Sequence, residues 1–177
     1  LAETNIDFHV GVVSTDMDLS NPNRGVLIGN PGVLTADTPN YVSKFASRVQ
    51  VGVDGSDKEK GLAASIAALS EPLVSGANEG FLRPDAHLSV IYVSDEDDCS
   101  DNDALAADMG DACYSQEGSL VPVRDLIYQL KSTKDPGRRV LASAIVGPDA
   151  AEGCGQSWPG HRYRATADAF GGKVGDI

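Results

Sequence analysis

Four consecutive acidic residues, Asp95 to Asp98, follow a short apolar run and are the residues of this chain best suited to chemistry. The run, at residues 88–93, is rich in β-branched side chains, which predicts a strand buried on both faces, as in parallel sheets covered by helices. Open α/β sheets place their ligand sites just beyond the carboxyl ends of such strands. Crowded carboxylates repel one another unless water or a cation balances them. The pattern therefore indicates either a divalent-cation site or a solvated acidic loop.

Three cysteines, Cys99, Cys113 and Cys154, lie in polar stretches rich in Gly or Asp, whereas buried free cysteines usually occupy apolar strands or helices. Loop positions favour a disulfide, and hence an oxidising compartment. Cys99 and Cys113 form the most economical pair, which leaves Cys154 free or paired outside this chain. Zinc is disfavoured, because the sequence has no CxxC and no nearby histidine pair.

Common sequence motifs of enzymes and of calcium loops are absent. The chain has no GxxxxGK[ST] phosphate loop and no GxGxxG, and residues 155–159 depart from the G-x-S-x-G elbow at their last position. An EF-hand that started at Asp95 would put Cys99 at a ligand position and would lack the turn glycine. His9 lies on the polar side of a predicted strand, where a packed or solvated histidine is more common than a catalytic one, and the residues around His87 and His161 contain no motif of a catalytic set. The sequence therefore favours a non-enzymatic protein.

Size and charge restrict the possible partners. The 177 residues suit a single domain with its own core. A formal net charge of −12 opposes electrostatic binding to nucleic acid or to anionic membranes and favours cations or basic partners. No apolar run approaches the roughly 18 residues that a transmembrane helix needs, so direct membrane insertion is not expected.

The hydrophobic pattern predicts alternating strands and helices. A first strand at residues 6–13 ends at Ser14-Thr15-Asp16, and residues 25–28 form a short edge strand. Residues 95–121 form a long acidic loop, which is functional or pinned by a crosslink. Such an order predicts a parallel sheet with helices on both faces and right-handed crossovers. The remaining predicted elements are strands at 88–93, 140–146 and 173–177 and helices at 40–49, 57–71, 122–134 and 162–170.

Several pieces of the chain carry a recognisable pattern: residues 7–16, 55–62, 78–83, 90–100 and 143–148, together with Arg162-Tyr163 and Gly171-Gly172. In these pieces, which come in the expected order and spacing, the chain resembles a von Willebrand factor A domain over nearly its whole length. It is most similar to the type found in bacterial secreted proteins and outer-membrane lipoproteins.

The resemblance implies a metal-ion-dependent adhesion site for Mg²⁺, Mn²⁺ or Ca²⁺ at the carboxyl end of the sheet. In that family an Asp-x-Ser-x-Ser loop, a Thr before a helix and an Asp after the fourth strand supply the ligands. By resemblance, Ser56 stands where the Thr would be and Asp95 where the third-loop Asp would be. Hydroxyl and carboxylate oxygens are the ligands that these cations prefer. We therefore predict Ser56 and Asp95 as metal ligands; the alternative for Ser56 is a plain helix N-cap.

The chain departs from the family at the first metal loop, since it has no Asp-x-Ser-x-Ser. Relative to the family it begins at the end of the first helix, and the missing strand would lie between the strands at 8–13 and 88–93. Those two strands then close up, are bridged by another chain, or leave a gap with unpaired backbone groups. We expect Mg²⁺ or Ca²⁺ to bind weakly at most, and the partner of Cys154 to lie beyond residue 177.

The resemblance predicts a binding or adhesion module that recognises a protein ligand through a divalent cation. We expect it to be extracytoplasmic (secreted, periplasmic or an outer-membrane lipoprotein) and part of a larger surface protein. The alternative is a metal-free scaffold of the same fold, and an enzyme is the third hypothesis, because fold does not fix function. The predicted fold of residues 1–177 is a single three-layer α/β/α domain with a mainly parallel, doubly wound (Rossmann-like) sheet and a short antiparallel edge strand.

Overall fold

A three-stranded parallel sheet organises the protein, which we describe from a computed structural model covering residues 6–52, 54–105, 112–148 and 157–177. The strands are β1 (Leu88–Ser94), β2 (Val140–Val146) and β3 (Val174–Asp176), adjacent in that order, with Leu88 in register with Val140. The helices are α1 (Tyr41–Arg48), α2 (Gly61–Ala68), α3 (Ala112–Ser115), α4 (Val123–Lys131) and α5 (His161–Phe170), and Glu117–Ser119 form a 3₁₀ turn. The chain is thus α/β with a parallel sheet, as the alternating pattern predicts.

Helices α2, α4 and α5 cover one face of the sheet. Successive side chains of a strand point to opposite faces, so alternate positions of β1 and β2 turn towards these helices. There they form the main hydrophobic core with apolar side chains of the three helices. Its buried members are Leu62, Leu69, Leu88, Tyr92, Leu126, Leu130, Ala142, Ala144, Val146, Tyr163, Ala167 and Phe170.

The opposite face of the sheet is open to solvent. Ile91 is 64% exposed, Val93 59% and Ile145 42%, and Val93 pairs with Ile145 across β1 and β2. The prediction that these strands are buried on both faces is therefore wrong for the described structure. A continuous apolar run does not by itself show which of its faces finds a neighbour, and here helices cover only one.

Two further predicted strands do not form. Residues 6–13 make one isolated antiparallel bridge, between Val10 and Leu34, and Ile28 donates its N–H to the Val12 carbonyl at 2.8 Å. Residues 25–28 form no strand, so the short antiparallel edge strand is not seen in the described structure. A sheet needs a paired neighbour along its length, and in the described ranges neither segment lies in the ladder of β1.

The helices agree with the sequence more closely than the strands do. Helices α1, α4 and α5 begin and end within three residues of the predicted bounds, whereas α2 begins at Gly61 instead of residue 57. The apolar face predicted for α1 is not buried, since Val42 and Phe45 are exposed, while Arg48 is buried and donates to the carbonyls of residues 31 and 32. No helix in the described ranges is long and apolar enough to cross a membrane.

Candidate cation-binding site

Three loops meet beside the carboxyl end of β1. The Lys60 N–H donates to the Thr15 carbonyl at 2.9 Å, and Asp16 forms an isolated antiparallel bridge with Glu59. Glu59 is linked in turn to β1, because the Ser94 hydroxyl donates to its carboxylate. The loops at residues 14–16, 55–60 and 94–98 are therefore neighbours, and the predicted ligands Ser56 and Asp95 belong to two loops that are in contact.

Ser56 lies in a turn and does not begin a helix. Its hydroxyl accepts the Lys58 N–H at 3.2 Å, and its side chain is half-buried. Because α2 starts five residues later, at Gly61, the alternative that Ser56 is the N-cap of this helix is wrong. The Ser56 oxygen keeps a lone pair for a further partner, since a hydroxyl can accept two hydrogen bonds.

Asp95 is the exposed member of the acidic loop. Its carbonyl accepts the Trp158 N–H at 2.7 Å, which ties the backbone of the loop to the segment before α5. Its carboxylate acts on two neighbours, raising the pKa of both Glu59 and Glu96. Asp95 thus lies within electrostatic reach of two other carboxyl groups, Glu59 and Glu96.

Negative charge collects where the loops meet. Burial raises the pKa of the Glu59 carboxyl, the hydrogen bond from Ser94 lowers it, and the Asp95 carboxylate raises it further. Burial also raises the pKa of Glu96, as do the carboxylates of Glu59, Asp95 and Asp57. Carboxylates crowded in this way attract either a proton or a cation.

Two of the four consecutive acidic residues are balanced by helix N-termini. Asp97 accepts the Arg162 N–H of α5 at 2.9 Å, and Asp98 accepts the Leu62 N–H of α2 at 2.9 Å. The unpaired N–H groups of a first helical turn carry partial positive charge and stabilise a carboxylate placed against them. The negative charges of Asp97 and Asp98 are therefore stabilised by helix N–H groups and need no cation. Asp95 and Glu96 have no such helix contact among the described residues.

The start of α2 depends on side chains that are distant in sequence. Gly61 donates to the Tyr163 hydroxyl at 3.1 Å, Leu62 to Asp98, and Ala63 to the Ser100 hydroxyl at 3.0 Å. The N-cap residue Lys60 has no side-chain cap of its own. Sequence analysis missed this arrangement, because capping motifs are read from neighbouring residues and here all three acceptors come from other elements.

The donor set at the loop junction has the right chemistry for a hard cation, but not a preformed cage. Ser56, Asp95, Glu59 and Asp16 offer hydroxyl and carboxylate oxygens, which Mg²⁺ and Ca²⁺ prefer. Among the described residues, however, no three His, Cys, Asp or Glu side chains are grouped so that they could hold a metal ion. Any ion here would need water or a partner's oxygen to complete its coordination. Sequence analysis missed Glu59, whose one local signal is its position three residues after Ser56.

A disulfide and an aromatic pair border the acidic loop. Cys99 and Cys113 are bonded, with their Cα atoms 5.3 Å apart, as the sequence predicts for this pair; Cys154 lies outside the described residues. The disulfide places Tyr114 beside the loop, where its ring stacks on that of Trp158 with centroids 4.7 Å apart. Cys99 and Cys113 also form a small second core, with Leu105, Ala112 and Leu120.

Comparisons of the chain with family models, with curated proteins and with solved structures gave no significant match.

Proposed function

We propose that this protein is a non-enzymatic binding module of the von Willebrand factor A type, with a divalent cation at the junction of its three loops. The observation that carries the proposal is the convergence of the loops at 14–16, 55–60 and 94–98, linked through Glu59. Burial and the Asp95 carboxylate both raise the pKa of Glu59 and of Glu96, which shows that negative charge is crowded at this junction. Ser56 and Asp95 supply two of the ligands, and water and a carboxylate of a protein partner complete the sphere.

We also propose that the complete fold has three layers, with helices on both faces of the sheet. The exposed apolar side chains of Ile91, Val93 and Ile145 lie on the face opposite α2, α4 and α5. A second layer of helices over that face would remove them from water and give the doubly wound α/β/α arrangement. Burial of such side chains stabilises a protein by about 25 cal/mol per Å² of apolar surface.

We propose an extracytoplasmic location on the strength of the Cys99–Cys113 disulfide. Structural disulfides persist in oxidising compartments and are rare in the reducing cytosol. A secreted, periplasmic or lipoprotein-anchored surface protein would supply that environment.

Terbium luminescence tests the cation site directly. Tb³⁺ occupies Ca²⁺ sites and luminesces when a nearby aromatic ring is excited. The chain's one tryptophan, Trp158, is close in space to Asp95, since its backbone N–H donates to the Asp95 carbonyl. We expect saturable luminescence that Ca²⁺ and Mg²⁺ displace. Asp95→Ala should weaken terbium binding by at least about tenfold. Loss of a residue that only supports a metal ligand already costs about that much, and Asp95 is proposed as a ligand itself. The matched control Asp85→Ala removes an exposed carboxylate just before β1, at its opposite end, and should leave affinity unchanged.

The second candidate is a metal-free scaffold of the same fold. It is favoured by the absence, among the described residues, of three grouped metal-ligating side chains, and by the way helices α2 and α5 already balance Asp98 and Asp97. Equal terbium affinity for the wild-type protein, Asp95→Ala and Asp85→Ala would favour this scaffold over the cation site.

A further inference from the structure

An exposed pair of stacked aromatic rings lies against the acidic loop. Tyr114 and Trp158 have ring centroids 4.7 Å apart and planes inclined by 27°, and their side chains are 37% and 53% exposed. Large aromatic rings left in water forgo the stabilisation that burial would give. Tryptophan and tyrosine are also the residues most enriched among the energetic centres of protein interfaces. The pair is therefore a candidate contact surface.

The Tyr114 ring and the backbone of Trp158 are both tied to the acidic loop. The Tyr114 hydroxyl accepts the Asp97 N–H at 3.4 Å, and the backbone N–H of Trp158 donates to the Asp95 carbonyl at 2.7 Å. The residue before Tyr114 is Cys113, which is covalently bonded to Cys99. The chain segments that carry the two rings are therefore preorganised, which lowers the entropic cost of binding a partner.

Negative charge surrounds the rings. Burial raises the pKa of the Tyr114 phenol to about 12, the Asp97 N–H lowers it, and the carboxylates of Glu96 and Asp97 raise it, so both carboxylates lie within electrostatic reach of the ring. The nearby guanidinium of Arg162 is directed to the Asp98 carboxylate and the Val121 carbonyl, which leaves the charge of Glu96 uncompensated by it. The surface thus combines aromatic faces with an excess of carboxylates.

We propose that the Tyr114–Trp158 pair, with the Glu96 carboxylate beside it, binds an arginine or lysine side chain of a protein partner. A guanidinium stacks on an aromatic face and pairs with a carboxylate at its edge, which matches the chemistry of this surface. The excess of carboxylates favours a basic peptide over a neutral sugar, the other common ligand of exposed aromatic rings. The inference rests on the proposed binding function, because it assumes a protein partner, but it requires no bound metal.

Fluorescence of the single tryptophan provides the test, with the full chain kept in EDTA. The probe is the peptide acetyl-Gly-Arg-Gly-Arg-Gly-amide, and the matched probe replaces both arginines by citrulline, which preserves shape and removes charge. We expect a saturable change in Trp158 emission with the arginine peptide, weakened by added salt, and none with the citrulline peptide. Equal binding of both peptides, or no binding of either, would overturn the proposal.

Calorimetry with variants locates the site. Tyr114→Ala and Trp158→Ala should each weaken binding of the arginine peptide by about threefold or more, and Glu96→Gln by a similar factor. Trp158→Phe keeps an aromatic face and should retain most of the affinity, so it guards against loss through misfolding. The controls are Tyr128→Ala, which removes a ring 73% exposed on α4, and Asp85→Asn, which removes a remote carboxylate; both should bind as the wild type does.

The outcomes separate this proposal from the proposed function. If Tyr128→Ala weakens binding as much as Trp158→Ala, the attraction is non-specific and the inference is wrong. If terbium binds at Asp95 while the arginine peptide does not bind, the cation site stands and the aromatic site falls. If instead the arginine peptide binds, and Asp95→Ala leaves the terbium affinity unchanged, the aromatic site stands and the cation site falls.

Discussion

The guanidinium of Arg162 lies against the buried carboxylate of Asp98, with Nε 3.1 Å from Oδ2. Asp98 is fully buried and Arg162 nearly so, and the same carboxylate accepts hydrogen bonds from Leu62 and Ser100. One side chain therefore joins the loop after β1 to the first turns of both α2 and α5. Burial raises the pKa of Asp98, while Arg162 and these hydrogen bonds act in the opposite direction.

Replacing Asp98 should cost much of the protein's stability. Asp98→Asn leaves the Arg162 guanidinium without its counter-charge and weakens the cap of α2, and breaking a buried pair in this way costs about 3–5 kcal/mol. Urea denaturation measures the loss. Adding Arg162→Met should restore part of it, because the two groups are coupled. A loss no larger than that of the exposed control Asp85→Asn would contradict the assigned role of Asp98.

Adjacent residues of β1 should respond in opposite ways. Tyr92 is buried in the core and its hydroxyl lies 2.9 Å from that of Ser65, whereas Ile91 faces solvent. Tyr92→Ala should therefore cost about 3–5 kcal/mol, in the range for large aromatic side chains. With the face that carries Ile91 open as described, Ile91→Thr keeps a β-branched side chain and should change stability by about 0.5 kcal/mol or less. A loss for Ile91→Thr as large as that for Tyr92→Ala would instead support the proposed second layer of helices over this face.

Stability should depend on the charge of Glu59 in a defined pH window. Its pKa in the folded protein lies above the usual value of 4.5, so the folded state binds the proton more tightly than the unfolded state. The stabilising effect of that proton is present below pH 4.5 and is lost as pH rises through the folded pKa. Glu59→Gln should therefore raise thermal stability at pH 7, and the gain should disappear towards pH 4. A loss of thermal stability at pH 7 that disappears towards pH 4 would mean instead that the pKa of Glu59 is lowered.

The disulfide should stabilise the acidic loop. Cys99 and Cys113 are 14 residues apart, and closing a loop of that size stabilises a protein by about 3 kcal/mol. Cys99→Ser with Cys113→Ser should lower the free energy of unfolding by that order, and the emission of Trp158 should shift as Tyr114 loses its anchor. Dithiothreitol should reproduce both changes in the wild type and neither in the double variant.

Gly61 should resist a substitution that usually favours helices. A Cβ atom at Gly61 would lie 2.4 Å from the Tyr163 hydroxyl oxygen, whereas one at Gly118 would meet nothing within 4 Å. Gly61→Ala should destabilise by about 1–3 kcal/mol despite the higher helix propensity of alanine. Gly118→Ala should be neutral or slightly stabilising. Similar denaturation midpoints for the two variants would mean that Tyr163 moves aside freely.

Much of the local structure could be predicted from the sequence. The apolar runs of β1 and β2, and the periodicity of α4 and α5, depend on neighbouring residues and appear within a few residues of the predicted bounds. The disulfide followed from the residues around Cys99 and Cys113 and from their short separation. The first predicted strand did not form, because a strand exists only where another strand pairs with it, and alternation at residues 6–13 does not supply that neighbour.

The candidate site, too, could be predicted from the sequence only in part. The sequence by itself determined that four carboxylates follow an apolar strand, and thus that an acidic loop lies at the carboxyl end of β1. Only the tertiary structure decided their separate environments: α5 and α2 bind Asp97 and Asp98, while Asp95 lies within electrostatic reach of Glu59 on a neighbouring loop. The reason is that electrostatic environment depends on groups close in space, and these partners lie up to 65 residues away in the chain.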